Sequence, residues 1–190
     1  MEYFNKEIET MSREDMEKLQ SERLKEEIKY VYANSPLYKQ KMDEAGIKPE
    51  DIKSIKDIVK LPFTTKHDLR ASYPYGYVAA PMEDIVRIHA SSGTTGKLTV
   101  VALTKRDLDD WTEAFARSLA IAGVTKKDIL HISYGYGLFT GGLGAHYGGE
   151  LMGCAVIPCS TGNTNRQLQL MRDLGATVLC CTPSYAMFLA

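Results

Sequence analysis

Residues that would mark a specialised class of protein are scarce in this 190-residue chain. Its four cysteines do not form a disulfide framework, since Cys154 and Cys159 lie five positions apart and Cys180 and Cys181 are adjacent. No zinc-binding spacing is present, so we expect reduced thiols and no protein metal site. The 23 Lys and Arg residues nearly balance the 24 Asp and Glu residues, which predicts no nucleic-acid partner.

Long hydrophobic runs of the kind that cross membranes are also missing. Residues 129–149 carry no Asp, Glu, Lys or Arg, but seven glycines and two histidines are spread through them, which argues against a membrane span. The first residues lack the basic region and the apolar core of a signal peptide. We therefore expect a cytoplasmic protein with no membrane partner.

Helix signals dominate residues 1–80, which we predict to form an N-terminal helical subdomain. Ser12 is a suitable N-cap for a helix over residues 12–34, because Glu14 and Asp15 follow in its first turn. Shorter helices are predicted over 37–45 and 50–60, and a further one begins at Thr64 or Thr65 and ends near residue 72. No strand signal interrupts them.

The pattern changes after residue 80. Residues 85–90 and 98–103 are rich in β-branched and aliphatic side chains and are joined by a Ser, Gly and Thr cluster, which predicts a β-loop-β unit. Strands are then predicted over 129–133, 155–158 and 177–182, and helices over 105–122, 144–152 and 164–174. This alternation is typical of βαβ units, so residues 81–190 are predicted to be the first part of an α/β domain with a mainly parallel sheet.

The last predicted helix, which opens at Pro183, is apolar and has no C-cap. Such a helix needs further protein to cover it. We therefore expect this chain to be the N-terminal portion of a longer protein.

Residues 91–97 carry the clearest chemical signal. They are Ser91, Ser92, Gly93, Thr94, Thr95, Gly96 and Lys97. Glycines allow close backbone approach, successive N–H groups and hydroxyls can donate to an anion, and the lysine adds a positive charge, so a phosphate is the expected ligand. The loop is not a Walker A motif, because Ser91 stands where its first glycine belongs and Leu98 replaces its Ser or Thr. The alternative is a flexible hairpin turn without a ligand.

Together with Trp111 and residues 99–101, this loop resembles the phosphate-loop signature of adenylate-forming enzymes, in particular of phenylacetate-CoA ligases. Residues 134–148, 153–158 and 182–185 resemble the same family, in order along nearly the whole chain. One departure is Leu98, where relatives usually carry proline. The resemblance implies an incomplete large N-terminal domain of such an enzyme.

The resemblance implies an AMP-forming acid-thiol ligase of aromatic acid degradation and phenylacetate catabolism. Its reaction joins a small aromatic carboxylic acid to coenzyme A through an acyl-adenylate made from ATP with Mg²⁺. Residues 91–97 are then expected to hold the phosphates, with Lys97 and Thr94 as catalytic residues. Later segments of such an enzyme lie outside this chain, so we expect negligible activity from these residues alone, and a homodimer is one possible state of the full-length protein.

The resemblance also places Tyr134, Phe139 and Ala145 beside the aryl group of the acid. Aromatic side chains among glycines can line a flat slot for a ring. The alternative is a glycine-rich turn that packs on the core. His131 is expected to be a core residue of its strand, and His89 a residue on a strand face, with orientation of the loop as the alternative role. His146 is a weaker candidate for the slot.

A second hypothesis stays open at this point. It is a non-catalytic α/β module that binds a nucleotide or phosphate through residues 91–97 and is indifferent to aryl acids. A kinase-like P-loop enzyme is disfavoured by the failed Walker spacing.

Overall fold

The computed structural model describes residues 3–91 and 96–190. Its contacts divide the chain into two compact units, one formed by Lys6–Thr104 and the other by Lys105–Ala190 with the N-terminal residues up to Asn5. The boundary near residue 80 stays a prediction about domain organisation. Within the described ranges, no helix is both long enough and apolar enough to cross a membrane.

The unit Lys6–Thr104 is mainly helical. Its α-helices are α1 (Lys6–Glu9), α2 (Arg13–Asn34), α3 (Pro36–Glu44) and α4 (Lys66–Ala71). Helix α2 begins where the sequence predicts, because the hydroxyl of Ser12 accepts a hydrogen bond from the backbone N–H of Asp15. The buried core of this unit is formed by Ile28 of α2, Met42 of α3 and Ile52.

Residues 50–60 do not form the predicted α-helix. They fold as parts of two 3₁₀ turns, Pro49–Asp51 and Ile55–Lys60. The carboxylate of Asp57 accepts from the backbone N–H groups of Lys53 and Ser54, both at 2.9 Å. Such side-chain caps satisfy donors that a continuous helix would use, and they therefore favour short turns. A third 3₁₀ turn, Met82–Asp84, precedes the first strand.

The predicted β-loop-β unit is confirmed as an antiparallel pair. Strand β1 (Ile85–Ala90) pairs with β2 (Val100–Thr104), and the register places Ala90 opposite Val100 and His89 opposite Val101. A register shift between Ile85 and Arg87 bends the pair at its open end.

The second unit contains a three-stranded parallel sheet. Its elements in chain order are α5 (Lys105–Ile121), β3 (Ile129–Ile132), α6 (Gly141–Leu151), β4 (Ala155–Ile157), α7 (Thr164–Asp173), β5 (Val178–Cys180) and α8 (Pro183–Leu189). The strand order is β4-β3-β5, and both pairings are parallel. Leu130 and Ile132 of β3 are fully buried with Ala145 of α6. The predicted α/β class is therefore confirmed.

Glycines of α6 allow close packing on two sides. A Cβ added at Gly144 would lie 2.3 Å from Cε2 of Phe115, and one at Gly148 would lie 2.7 Å from Cβ of the same residue on α5. A Cβ at Gly149 would lie 2.7 Å from Cδ2 of Leu130 in β3. These three glycines therefore bring α6 against α5 and the sheet, a packing role that the sequence did not distinguish from a slot.

Candidate functional site

The described ends of the predicted phosphate loop meet at the closed end of the β1–β2 pair. The backbone N–H of Ser91 donates to the carbonyl oxygen of Thr99 at 3.0 Å, directly beyond the last strand pair. This bond closes the base of a hairpin loop whose far side returns through Gly96 and Lys97. The predicted residues Ser92, Gly93, Thr94 and Thr95 lie outside the described residues.

Gly96 and Lys97 are exposed and suited to approach an anion. Gly96 has a φ of 128°, a backbone conformation that favours glycine. The ammonium group of Lys97 lies 5.9 Å from the ring centroid of Tyr73, within the range of a cation–π contact. The ring contacts the side chain without neutralising its charge, and the phosphate role of these residues stays a prediction.

The structure brings the predicted acid-slot residues together at the start of α6. A Cβ added at Gly141 would lie 3.4 Å from Cε1 of Phe139 and 3.9 Å from Cδ1 of Tyr134. Tyr134 also packs against the buried cluster that contains Ala145. Ala145 is 2% exposed and Phe139 is 66% exposed, so this group runs from the core to the surface.

The hydroxyls of Tyr134 and Tyr136 have partners inside the unit. Tyr134 donates to the carbonyl oxygen of Cys181 at 2.7 Å, and Tyr136 bonds Nδ1 of His146 at 3.2 Å. The other nitrogen of His146, Nε2, lies 3.0 Å from Oε1 of Glu150. Burial raises the pKa of Tyr136 to about 12 and also raises the pKa of Tyr134, so both remain protonated at neutral pH.

A buried polar network, which sequence reasoning missed in part, lies on the face of β3 opposite to Leu130 and Ile132. His131 is fully buried, as expected for a core residue, and its Nε2 lies 2.5 Å from Oε1 of Gln167. The hydroxyl of Ser133 donates to the same oxygen at 2.9 Å. Gln167 is 1% exposed, and its amide nitrogen donates to the carbonyl oxygens of Ser160 and Gly162 at 2.7 and 3.2 Å. No local signal marks Gln167, because His131 and Ser133 lie more than 30 positions before it and only the fold brings them together.

The cysteines of the second unit behave as small buried or half-buried groups. All four are free thiols. Burial raises the pKa of Cys180 to about 11 and also raises that of Cys154, which disfavours reactive thiolates. Within residues 3–91 and 96–190, no three His, Cys, Asp or Glu side chains are grouped as metal ligands.

An open cleft of about 340 Å³ also lies in the second unit, at the end of α5. Its walls include Phe4, Val124, Lys126 and Met152. None of its lining residues is a predicted site residue. The chemistry that the sequence predicts therefore lies in the loop and the tyrosine segment, and not in this cleft.

Comparison with known proteins connects this geometry to a family. No family model matches the chain. It is 53% identical over 180 residues to the phenylacetate-coenzyme A ligase of Escherichia coli, which covers 95% of this chain and 41% of that protein. It is 51% identical over 187 residues to the phenylacetate-coenzyme A ligase of Thermus thermophilus, which covers 98% of this chain and 42% of that protein. The chain is a homologue of phenylacetate-coenzyme A ligases.

Solved structures support the same relationship for this ligase homologue. A crystal structure of 2-hydroxyisobutyryl-CoA ligase in complex with 2-HIB-AMP and CoA matches it with a TM-score of 0.92 and 30% identity. That match covers 98% of this chain and 41% of the ligase. The predicted resemblance to adenylate-forming ligases is therefore confirmed. The chain spans about two-fifths of the length of the curated relatives that it matches.

Proposed function

We propose that the protein is an AMP-forming aryl-CoA ligase whose acid substrate is phenylacetate or a close arylacetate. The observation that carries the proposal is the identity of 50–53% to phenylacetate-coenzyme A ligases over 94–98% of this chain. At this coverage, the aligned region includes both the phosphate loop and the tyrosine segment. The overall reaction converts ATP, the acid and CoA into the acyl-CoA thioester, AMP and pyrophosphate, and we expect it to take place in the cytoplasm.

The first half-reaction forms a bond between the carboxylate oxygen of the acid and the α-phosphorus of ATP. The bond from that phosphorus to pyrophosphate breaks, so negative charge increases on the leaving group. The proposed role of residues 91–97 is to bind the β- and γ-phosphates and to stabilise this charge, with Lys97 and Thr94 as the catalytic residues. Mg²⁺ bound to the phosphates would neutralise further charge.

The exposed position of Lys97 supports this assignment. Its ammonium group lies 5.9 Å from the centroid of the Tyr73 ring. A cation–π contact at an exposed site is weak, so a charge-assisted hydrogen bond to a phosphate can replace it. Ser91 and Gly96 stand on the two sides of the hairpin mouth. A phosphate bound at the loop would meet the positive charge of Lys97 beside the exposed backbone of Gly96.

The second half-reaction consumes the adenylate. The sulfur of CoA attacks the acyl carbon, the bond to the AMP oxygen breaks, and the thiol proton leaves to solvent or base. We propose that Tyr134, Phe139 and Ala145 hold the aryl group during both steps, since aromatic edges next to small residues suit a flat ring.

The test is product analysis with the protein expressed from the complete reading frame. We expect AMP and pyrophosphate to form from ATP only when phenylacetate is present, and phenylacetyl-CoA to form when CoA is added. Formation of ADP, or ATP cleavage that does not depend on an aryl acid, would overturn the proposal. Nucleotide binding that is unaffected by aryl acids would instead favour the non-catalytic binding module.

A further inference from the structure

The turn between β4 and α7 has an unusual backbone conformation. Three of its residues have positive φ angles, which are 69° at Ser160, 94° at Gly162 and 34° at Asn163. Serine rarely adopts this region, because its Cβ atom crowds the backbone, whereas asparagine does so more often than other non-glycine residues. A turn of this kind persists only where its surroundings hold it in place.

Gln167 supplies much of that restraint. Its amide nitrogen donates to the carbonyl oxygens of Ser160 and Gly162, at both ends of the strained section. Its amide oxygen accepts from Ser133 and lies 2.5 Å from Nε2 of His131. One buried side chain therefore fastens the turn to the end of β3.

The turn in its place lies beside the backbone of the proposed acid slot. A Cβ added at Gly135, between Tyr134 and Tyr136, would lie 3.8 Å from Cγ2 of Thr161. The backbone N–H of Ser160 also donates to the carbonyl oxygen of Ile132, at 3.0 Å. The turn thus contacts β3 and lies beside the segment that follows it, at the carboxyl ends of parallel strands, where α/β folds usually bind ligands.

We propose that Gln167 is a positioning residue for the aryl acid, which holds the turn of residues 160–163 against Gly135 and so fixes the backbone that carries Tyr134. This inference rests on the proposed function. This role requires no contact between Gln167 and the acid. It acts through the turn, and its loss would widen the range of positions that the slot adopts, which weakens binding of the acid more than binding of ATP.

The kinetic test uses the protein expressed from the complete reading frame and measures KM for phenylacetate, KM for ATP and kcat by pyrophosphate release. In Gln167→Leu we expect KM for phenylacetate to rise roughly tenfold, because small displacements of a positioned group have large effects. KM for ATP should change less than twofold. The matched control is Gln169→Leu on the same helix, whose side chain is exposed and for which all three constants should match the wild type.

A second variant keeps the test decisive if Gln167→Leu fails to fold. In Ser160→Gly the strained φ of 69° has no steric cost, so the fold is retained or stabilised while the turn is held less tightly. We expect KM for phenylacetate to rise roughly threefold with no loss of thermal stability. A purely structural role would lower the amount of active enzyme and therefore kcat, and would leave both KM values unchanged.

The outcomes separate the two proposals. If the wild type releases pyrophosphate only with an arylacetate, and KM for that acid is unchanged in Ser160→Gly and in every folded Gln167 variant, the positioning role is wrong and the proposed function stands. If the wild type shows no release dependent on an aryl acid, the proposed function is wrong and the positioning role is overturned with it.

Discussion

The hydroxyl of Tyr136 and Nδ1 of His146 lie 3.2 Å apart, and their rings meet edge to face with centroids 5.7 Å apart. The carboxylate of Glu150 can only accept a hydrogen bond, so Nε2 of His146 carries the proton that faces it, while Nδ1 faces the hydroxyl of Tyr136. This contact ties the loop after β3 to the middle of α6. It therefore connects the proposed acid slot to a helix that is packed on both the sheet and α5.

We predict that Tyr136 and His146 are energetically coupled. In a double-mutant cycle of Tyr136→Phe and His146→Phe, the coupling free energy should be about 1 kcal/mol, which is the typical net value of one such bond. Unfolding in urea, monitored by circular dichroism, measures the three variants against the wild type. Additive losses within about 0.3 kcal/mol would show that the contact does not stabilise the protein.

The close packing of α6 on α5 gives a second prediction. Gly148→Ala should lower the free energy of unfolding by about 1–3 kcal/mol, although alanine favours helices, because the new methyl would also lie 3.1 Å from the backbone nitrogen of Ala116. The control is Gly141→Ala, whose methyl would make only ordinary contacts of 3.4 Å or more. A gain of stability in both variants would contradict the packing role of Gly148.

Asp68 gives a prediction on pH dependence. Hydrogen bonds from the backbone N–H and the hydroxyl of Thr65, followed by the ion pair with Lys41, lower the pKa of Asp68 from 3.8 to about 2. A carboxyl whose pKa is lower in the folded state stabilises the fold above the unfolded pKa. That contribution is therefore complete above about pH 4 and is lost as the pH falls towards 2.

The measurement is the carboxyl carbon shift of Asp68 in a pH titration by NMR. Its midpoint should lie near pH 2 in the wild type and should move upwards in Thr65→Ala, which removes the hydroxyl donor but keeps the backbone one. At pH 7, Asp68→Asn should be less stable than the wild type, and this difference should shrink on acidification from pH 4. A midpoint near the ordinary value in the wild type would refute the cap.

Lys97 allows the proposed phosphate site to be tested directly. Lys97→Ala should lower kcat/KM for ATP by roughly 10- to 100-fold, since charge-assisted bonds are the stronger hydrogen bonds in proteins. Lys53→Ala, which removes another exposed lysine of the same unit, should leave this value unchanged. Equal kcat/KM in Lys97→Ala and the wild type would exclude a phosphate role for this side chain.

The local structure of the chain follows closely from its sequence. Helix α2, with its Ser12 cap, and strand β1 lie where their signals predict, because caps and runs of β-branched residues act over a few neighbouring positions. Residues 50–60 are the exception. There, the side chain of Asp57 accepts from the backbone N–H groups of Lys53 and Ser54, and the segment forms two turns in place of one helix.

The candidate site also has features that follow from local sequence patterns and features that depend on tertiary contacts. The sequence by itself determined the α/β class, the glycine- and hydroxyl-rich loop and the aromatic segment, since each is a pattern of neighbouring residues. Only the tertiary structure decided that Gly144 and Gly148 accommodate Phe115, and that Gln167 connects His131 and Ser133 to a strained turn. Phe115 lies about 30 positions before Gly144 and Gly148, and His131 and Ser133 lie more than 30 positions before Gln167. In the sequence, a buried glutamine or a tightly packed glycine looks the same as an exposed one. Which of them carries the packing depends on the partner that the fold brings to it.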